Sequence, residues 1–171
     1  MSSGSGSDPV AELLAVLEAQ RATYTHLLQL AQERHTALRA ADAGRLSELA
    51  GAEEPLLSRV RRLESARLQL LRPWAERLAR PPEAVTVTAL AGQLPSQQAG
   101  ALIAARETLL ETVGALDDAN RRNAHLLNAC LESVGESVRH LLQTVQLDPR
   151  YAQSGTRTGP ESGPRLTDYR A

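Results

Sequence analysis

Phenylalanine and lysine are absent from this sequence, and aromatic side chains are scarce. Aromatic residues make up 2% of the 171 residues, although hydrophobic residues make up 42%. The apolar content is therefore carried by leucine, alanine and valine, and leucine and alanine rank highest in helix propensity. Such a composition predicts an all-α protein, and the length gives no reason to expect a second domain.

A large charge of one sign is also absent. The 19 basic residues are all arginine, they alternate with 20 acidic residues, and the formal net charge is −1. The chain therefore has no basic stripe that would attract phosphate groups, and nucleic acid is not an expected partner.

Cysteine and long apolar runs are equally rare. Cys130 is the single cysteine, so no intramolecular disulfide can form and a reducing compartment is expected. The first residues show no basic region followed by an apolar run, and no apolar stretch is long enough to cross a bilayer. We therefore expect a cytoplasmic protein without stable membrane insertion, in which residues 1–7 form a flexible leader.

No pattern for catalysis, metal binding or a cofactor is recognisable. The histidines are dispersed over two predicted helices, and none forms the Glu-x-x-His arrangement of di-iron bundles. Cys130 lies among aliphatic residues, which favours a buried structural thiol over a nucleophile. A glycine-rich phosphate loop and a nucleophile elbow are both missing. We expect no enzyme activity, no metal and no cofactor.

Apolar residues recur at spacings of three and four along the first two segments, which predicts two amphipathic helices. Asp8 followed by Pro9 predicts the start of the first helix, which should end at about Ala41, with Gln20 and Arg34 as breaks in its apolar seam. Asp42 should cap the second helix. The short turn between them predicts an antiparallel hairpin.

Two prolines lie inside the second helical segment. Proline removes a backbone hydrogen bond and clashes with the preceding turn. We therefore expect a bend or a fresh start near Gly51 to Pro55, and another bend at Pro73.

The rest of the chain predicts a short helix, a long helix and a tail. The short helix should be capped by Thr86 or Thr88 and stopped at Pro95, and the long helix should run from Ser96 to about Val145. Residues 146–171 are rich in glycine, proline, serine and threonine, so they are expected to be disordered when free. The predicted fold is an elongated antiparallel bundle of three long helices plus a short linking helix over residues 8–145.

The second half of the long helix has a broader apolar face than one antiparallel neighbour needs to cover. Part of this face should be free to take a partner. In the alternative, the first two helices together cover all of it. The residues of the face are Leu126, Leu127, Cys130, Leu131, Val134, Val138, Leu141, Leu142 and Val145. Asn120 and Asn123 lie at or beside the same seam and should either fix the helix register or sit exposed.

The segments from residues 11–49 and 53–71 form a leucine-rich helix, a turn, and a helix of leucine, glutamate and arginine. They are followed by TVTALAGQLP, by LDDANRRNAHLL, and by a tail with Tyr151, Ser154-Gly155 and a terminal Leu166-x-Asp168-x-Arg170-Ala171. In order and content this layout resembles the FlgN-type flagellar export chaperones. The turn at residues 42–44 reads Asp-Ala-Gly where the family usually has Gly-Asp.

The resemblance implies a chaperone that binds the C-terminal helical segment of the hook-associated proteins FlgK and FlgL, keeps them from polymerising, and hands them to the export gate. The apolar face of the long helix would then bind the substrate protein. Tyr151, Leu166 and Tyr169 are the hydrophobic residues of the tail that could contact the export gate. In the alternative function, the same apolar face forms a homodimer of a structural coiled coil.

Overall fold

The computed structural model describes residues 8–146, with side chains described up to residue 144. It contains four α-helices, α1 (Pro9–Arg39), α2 (Ala43–Leu78), α3 (Val87–Ala91) and α4 (Ser96–Gln146), and a 3-10 turn at Pro82–Ala84. No strand occurs in this part of the chain, and the all-α prediction is confirmed. The expected leader, residues 1–7, and the expected tail beyond residue 146 lie outside the described residues.

The chain divides into two compact units, Met1–Asn128 and Ala129–Ala171. The described part of the first unit consists of α1, α2, α3 and the first portion of α4, up to Asn128. The described part of the second unit is the remainder of α4, residues 129–146.

Side-chain caps begin the first three helices at the predicted positions. Asp8 Oδ1 accepts from the Val10 amide at 3.0 Å, and Asp42 Oδ1 accepts from the Arg45 amide at 2.9 Å. Thr86 Oγ1 caps α3 by accepting from the amide of Ala89 at 3.2 Å. Each cap satisfies one of the amides that a helix start leaves without an intrahelical partner.

Helix α1 ends at Arg39, earlier than the apolar pattern suggests. Ala41, which the pattern included, has a φ of 52° in the turn between α1 and α2. A left-handed residue cannot continue a right-handed helix, so this position reverses the chain.

Helix α2 continues through both of its prolines. Of the two outcomes expected near Gly51 to Pro55, a bend or a fresh start, the fresh start does not occur. Pro55 and Pro73 are exposed, as are Gly51 and Gln69 one turn before them. Proline has no backbone N–H, so the carbonyls of Gly51 and Gln69 lack the donors they would otherwise have in the helix. Because these positions face solvent, water can hydrate the carbonyls and the helix can continue.

One hydrophobic core joins the four helices of the first unit. Its most deeply buried large side chains are those of Leu13, Leu71, Leu90 and Leu102, and none of them is more than 1% exposed. The single tryptophan, Trp74, packs in the same cluster. Leu90 is the buried residue of the short α3, and its burial explains how five residues can hold a helix that would be unstable alone.

Polar contacts define the helix directions within the first unit. Gln20 bonds Glu64 and Arg34 pairs with Glu53, so α1 and α2 run antiparallel, as predicted. Along the same α1, Asp8 accepts from Gln98 Nε2 at 2.8 Å, and the carbonyl of Ala31 accepts from Asn123 Nδ2 at 2.7 Å. The part of α4 in this unit therefore runs parallel to α1 and antiparallel to α2.

Candidate functional site

The second unit presents a row of exposed aliphatic side chains along α4. The exposed fractions are 61% for Leu131, 59% for Val134, 49% for Val138, 65% for Leu141 and 58% for Leu142. Cys130 is also exposed. At 100° per residue these six residues share an arc of about 120° around the helix axis. They are called the apolar strip below.

The remaining positions of this α4 segment are mainly polar. Glu132, Glu136, Arg139 and His140 are all exposed. The hydroxyl groups of Ser137 and Thr144 donate to backbone carbonyls of the same helix, four residues earlier, each at 2.9 Å. The segment is thus amphipathic. Covering its apolar strip with a partner would lower the free energy, because apolar surface would be removed from water.

The predicted substrate-binding residues are divided between the two compact units. In the first unit Leu126 is half-buried and Leu127 is 45% exposed. In the second unit the six residues of the apolar strip are exposed. The side chain of Val145 lies outside the described residues, and so do the tail residues Tyr151, Leu166 and Tyr169.

The expectation that Cys130 is a buried structural thiol is wrong. Cys130 is exposed, and it lies at the edge of the arc that also contains the exposed residues Leu141 and Val134. Its neighbours along the chain are aliphatic, but local sequence cannot show whether another element covers them.

The two asparagines of α4 have different environments. Asn123 is 5% exposed; its Nδ2 donates to the Ala31 carbonyl, and its Oδ1 accepts from His35 Nδ1 at 3.1 Å. Both ends of the amide are therefore satisfied, so a shift of α4 along α1 would break two hydrogen bonds at once. Asn120 is exposed. Asn123 fixes the register of α1 and α4, while Asn120 faces solvent.

Sequence reasoning missed a cleft in the first unit. It has a volume of about 340 Å³ and lies among α1, α2, the connection before α3, and α4. Gln20 lines this cleft and is only 4% exposed. The only sequence feature that could have indicated this cleft is the glutamine within the apolar seam of α1. From the sequence alone, that glutamine appears only as an interruption of the seam.

Charge pairing surrounds the polar side of this cleft. Arg67 donates to both carboxylate oxygens of Glu64, at 2.6 and 2.9 Å, and the Arg67 guanidinium holds the pKa of Glu64 below its usual value. Burial, together with the charge of Glu64, raises the pKa of Tyr24. The Glu64 carboxylate and the Tyr24 phenol thus stay in their ordinary charge states near neutral pH.

Within residues 8–146, no group of three or more histidine, cysteine, aspartate or glutamate side chains is arranged to hold a metal ion. None of the helices described is both long and apolar enough to cross a membrane.

Amphipathic helices that leave an aliphatic strip exposed are typical of a helical protein-binding domain. Comparison with protein families defines the class further, because the model of the family described as FlgN protein matches residues 9–159. The chain belongs to the FlgN family, and its general role is that of a flagellar export chaperone. No curated protein and no solved structure gives a significant match to the chain.

Proposed function

We propose that this chain binds the C-terminal helical segment of the hook-associated proteins FlgK and FlgL in the cytoplasm and delivers them to the flagellar export gate. It needs neither catalysis nor a cofactor for this role. The apolar strip supports the proposal, because its five large aliphatic side chains are 49% to 65% exposed. An export chaperone needs a surface that can hold a segment of its cargo protein and keep that segment from associating with other molecules.

The spacing of the apolar strip favours a helical ligand. Leu131, Val134, Val138 and Leu141 follow one another at intervals of three and four residues, which is the repeat that a second helix matches with its own apolar side. An extended segment has a repeat of two residues and would meet fewer of these side chains.

The expected affinity suits a chaperone that must release its cargo. Each fully buried aliphatic side chain contributes roughly 1.5 to 3 kcal/mol. Three or four such anchors, reduced by the cost of association and ordering, correspond to dissociation constants of about micromolar to nanomolar. Binding of this strength is reversible without a chemical step.

Removing the C-terminal helical segment from FlgK or FlgL is expected to abolish binding to this chain. Isothermal titration calorimetry with the intact and the shortened cargo would measure the difference, with circular dichroism confirming that the shortened cargo remains folded. Equal affinity for both cargo forms would contradict the proposed helix-in-groove contact. A stable homodimer, detected by mass measurement, that ignores added cargo would instead support the structural coiled coil.

Deleting residues 151–171 is expected to leave cargo affinity unchanged within about twofold and to reduce delivery to the export gate, because brief docking suits a segment with few apolar residues. Tyr151, Leu166 and Tyr169 are proposed to make that contact. Calorimetry would measure affinity, and the amount of secreted cargo would measure delivery. Loss of cargo affinity in the shortened chain would refute this division of roles.

A further inference from the structure

The solvent side of α2 and of the turn after it carries six exposed arginines. Within residues 8–146 none of them forms an ion pair. The arginines that do pair with carboxylates, such as Arg34 and Arg67, lie on other surfaces. The six are called the basic face below: Arg59, Arg61, Arg62, Arg72, Arg77 and Arg80. Their guanidinium groups remain available to an anionic partner.

The basic face concentrates positive charge in a chain that is nearly neutral. Residues 59–80 contain seven arginines and two glutamates, a charge of +5, whereas the whole chain has a net charge of −1. The prediction that the chain has no basic stripe is therefore wrong for α2. Glutamates alternate with arginines along the sequence, but Glu64 lies on another side of the helix and is paired with Arg67. Sequence order does not show which side of a helix each charge takes.

The basic face is broad and convex, which suits a flat partner better than a narrow one. At 100° per residue its five helical arginines span an arc of about 160°, with the exposed Gln69 at the middle and the buried Leu71 on the opposite side. From Arg59 to Arg77 the face is about 27 Å long. Because arginine side chains are long and flexible, those at both edges of the arc can reach a plane laid against its middle.

Electrostatic attraction is the main force that the basic face offers. No large hydrophobic side chain of residues 59–80 is exposed, and the exposed residues between the arginines include Ser65, Gln69 and Pro73. Protein interfaces usually centre on aromatic or aliphatic anchors, and proteins that bind single-stranded nucleic acid stack bases on aromatic rings. The basic face has neither feature, so its chemistry fits a surface of anionic groups.

The spacing of the arginines favours anionic groups that can rearrange. Consecutive arginines of the basic face are between one and ten residues apart, with no regular repeat. A fixed array of acids or phosphates, on a folded protein or along a duplex, would have to match these intervals. Phospholipid headgroups move laterally in a bilayer, so each guanidinium can bind a phosphate without any register between the two surfaces.

We propose that the basic face binds the surface of a bilayer that contains anionic phospholipids, whose phosphate oxygens accept hydrogen bonds from the guanidinium groups. The contact is peripheral and needs no apolar insertion. It uses α2 rather than the apolar strip, and it does not depend on the identity of the cargo.

The first test is cosedimentation of the full-length chain with vesicles of phosphatidylglycerol and phosphatidylcholine in equal amounts. We expect binding at about 50 mM NaCl, and binding at least about tenfold weaker at about 300 mM NaCl, because salt screens exposed charges. Vesicles of phosphatidylcholine alone should not bind the chain. Equal binding to the two kinds of vesicle would overturn the proposal, as would the absence of binding at low salt.

The second test combines Arg62→Gln, Arg72→Gln and Arg77→Gln. Each arginine near an anionic surface strengthens binding by about fivefold, so the triple variant is expected to bind the mixed vesicles about 100-fold more weakly. Glutamine has a helix propensity close to that of arginine, and circular dichroism should give a parental melting curve. Parental vesicle binding by this variant would overturn the proposal.

The matched control combines Arg39→Gln, Arg106→Gln and Arg122→Gln. These residues are exposed on α1 and α4, and the control changes the net charge by the same amount. It should bind the mixed vesicles within about threefold of the parent chain. An equal loss in both triple variants would mean that net charge, and not the basic face, attracts the chain to vesicles.

Competition separates the bilayer from other anionic partners. If a short DNA duplex or polyglutamate, at the same concentration of anionic groups, removes the chain from the mixed vesicles, the partner is a nucleic acid or an acidic protein and the proposal is wrong. Leu131→Ala combined with Leu142→Ala should bind vesicles like the parent chain. Loss of vesicle binding in that variant would place the contact on the apolar strip and overturn the proposal. Cargo binding is measured separately with FlgK in the absence of vesicles.

Discussion

Leu131→Ala combined with Leu142→Ala is expected to weaken cargo binding by about 100-fold or more, while the free energy of unfolding changes by less than about 0.5 kcal/mol. The two side chains are 61% and 58% exposed in the free chain, so their removal leaves no cavity there. In the complex, each lost leucine side chain removes roughly 1.5 to 3 kcal/mol of burial. Alanine also favours the helix, so α4 should be retained.

The matched control for this variant is Glu132→Ala combined with Gln143→Ala. Both residues are exposed and lie on the side of the same helical segment that is opposite the apolar strip. They are separated by about 20° around the helix axis, as Leu131 and Leu142 are. Titration calorimetry against intact FlgK should show less than about threefold change for this control, and thermal melting by circular dichroism should give parental curves for both variants. If the double leucine variant binds FlgK as tightly as the parent chain does, the apolar strip is not the cargo surface.

Leu102→Ala is expected to destabilise the first unit by about 2 to 5 kcal/mol. Leu102 is 0% exposed and packs in the core with residues of α1, α2 and α3, so truncation leaves a cavity that the surrounding side chains cannot fully close. For a chain of this size the melting temperature should fall by about 2 to 4 °C for each kcal/mol.

Leu131→Ala is the appropriate comparison for the core variant, since it makes the same chemical change on the same helix. Thermal and urea unfolding followed by circular dichroism would measure both. Leu102→Ala should melt well below the parent chain, and Leu131→Ala should match it. A loss of under about 1 kcal/mol for Leu102→Ala would mean that the core is packed less tightly at this position than its burial indicates.

Helix starts were predictable because the chemistry of a cap is local. Asp8, Asp42 and Thr86 each accept a hydrogen bond from an amide two or three residues ahead, and no distant residue is needed to form that contact. The continuation of α2 through Pro55 was not predictable in this way. It depends on whether the carbonyl one turn earlier faces solvent, which is a property of the folded chain.

For the polar residues within the apolar seams, too, the sequence shows the position of the residue but not its environment. Gln20 and Asn123 were visible in the sequence as interruptions, but the pattern could not tell an exposed amide from a buried one. Asn123 is satisfied by Ala31 and His35, which are distant in the sequence. Gln20 is satisfied at one end only and lines a cleft built from several elements. The contacts that distinguish the two come from other helices.

The amino-acid sequence alone determined that this protein is helical, where its helices begin, and that its segments follow the order of the FlgN family. These properties depend on propensity, caps and periodicity, all of which act within a few residues. Only the tertiary structure decided that Leu102 is fully buried and Leu131 is 61% exposed, although both are leucines on apolar positions of α4. Burial is set by contacts between residues far apart in the chain, and periodicity does not encode which of those contacts form.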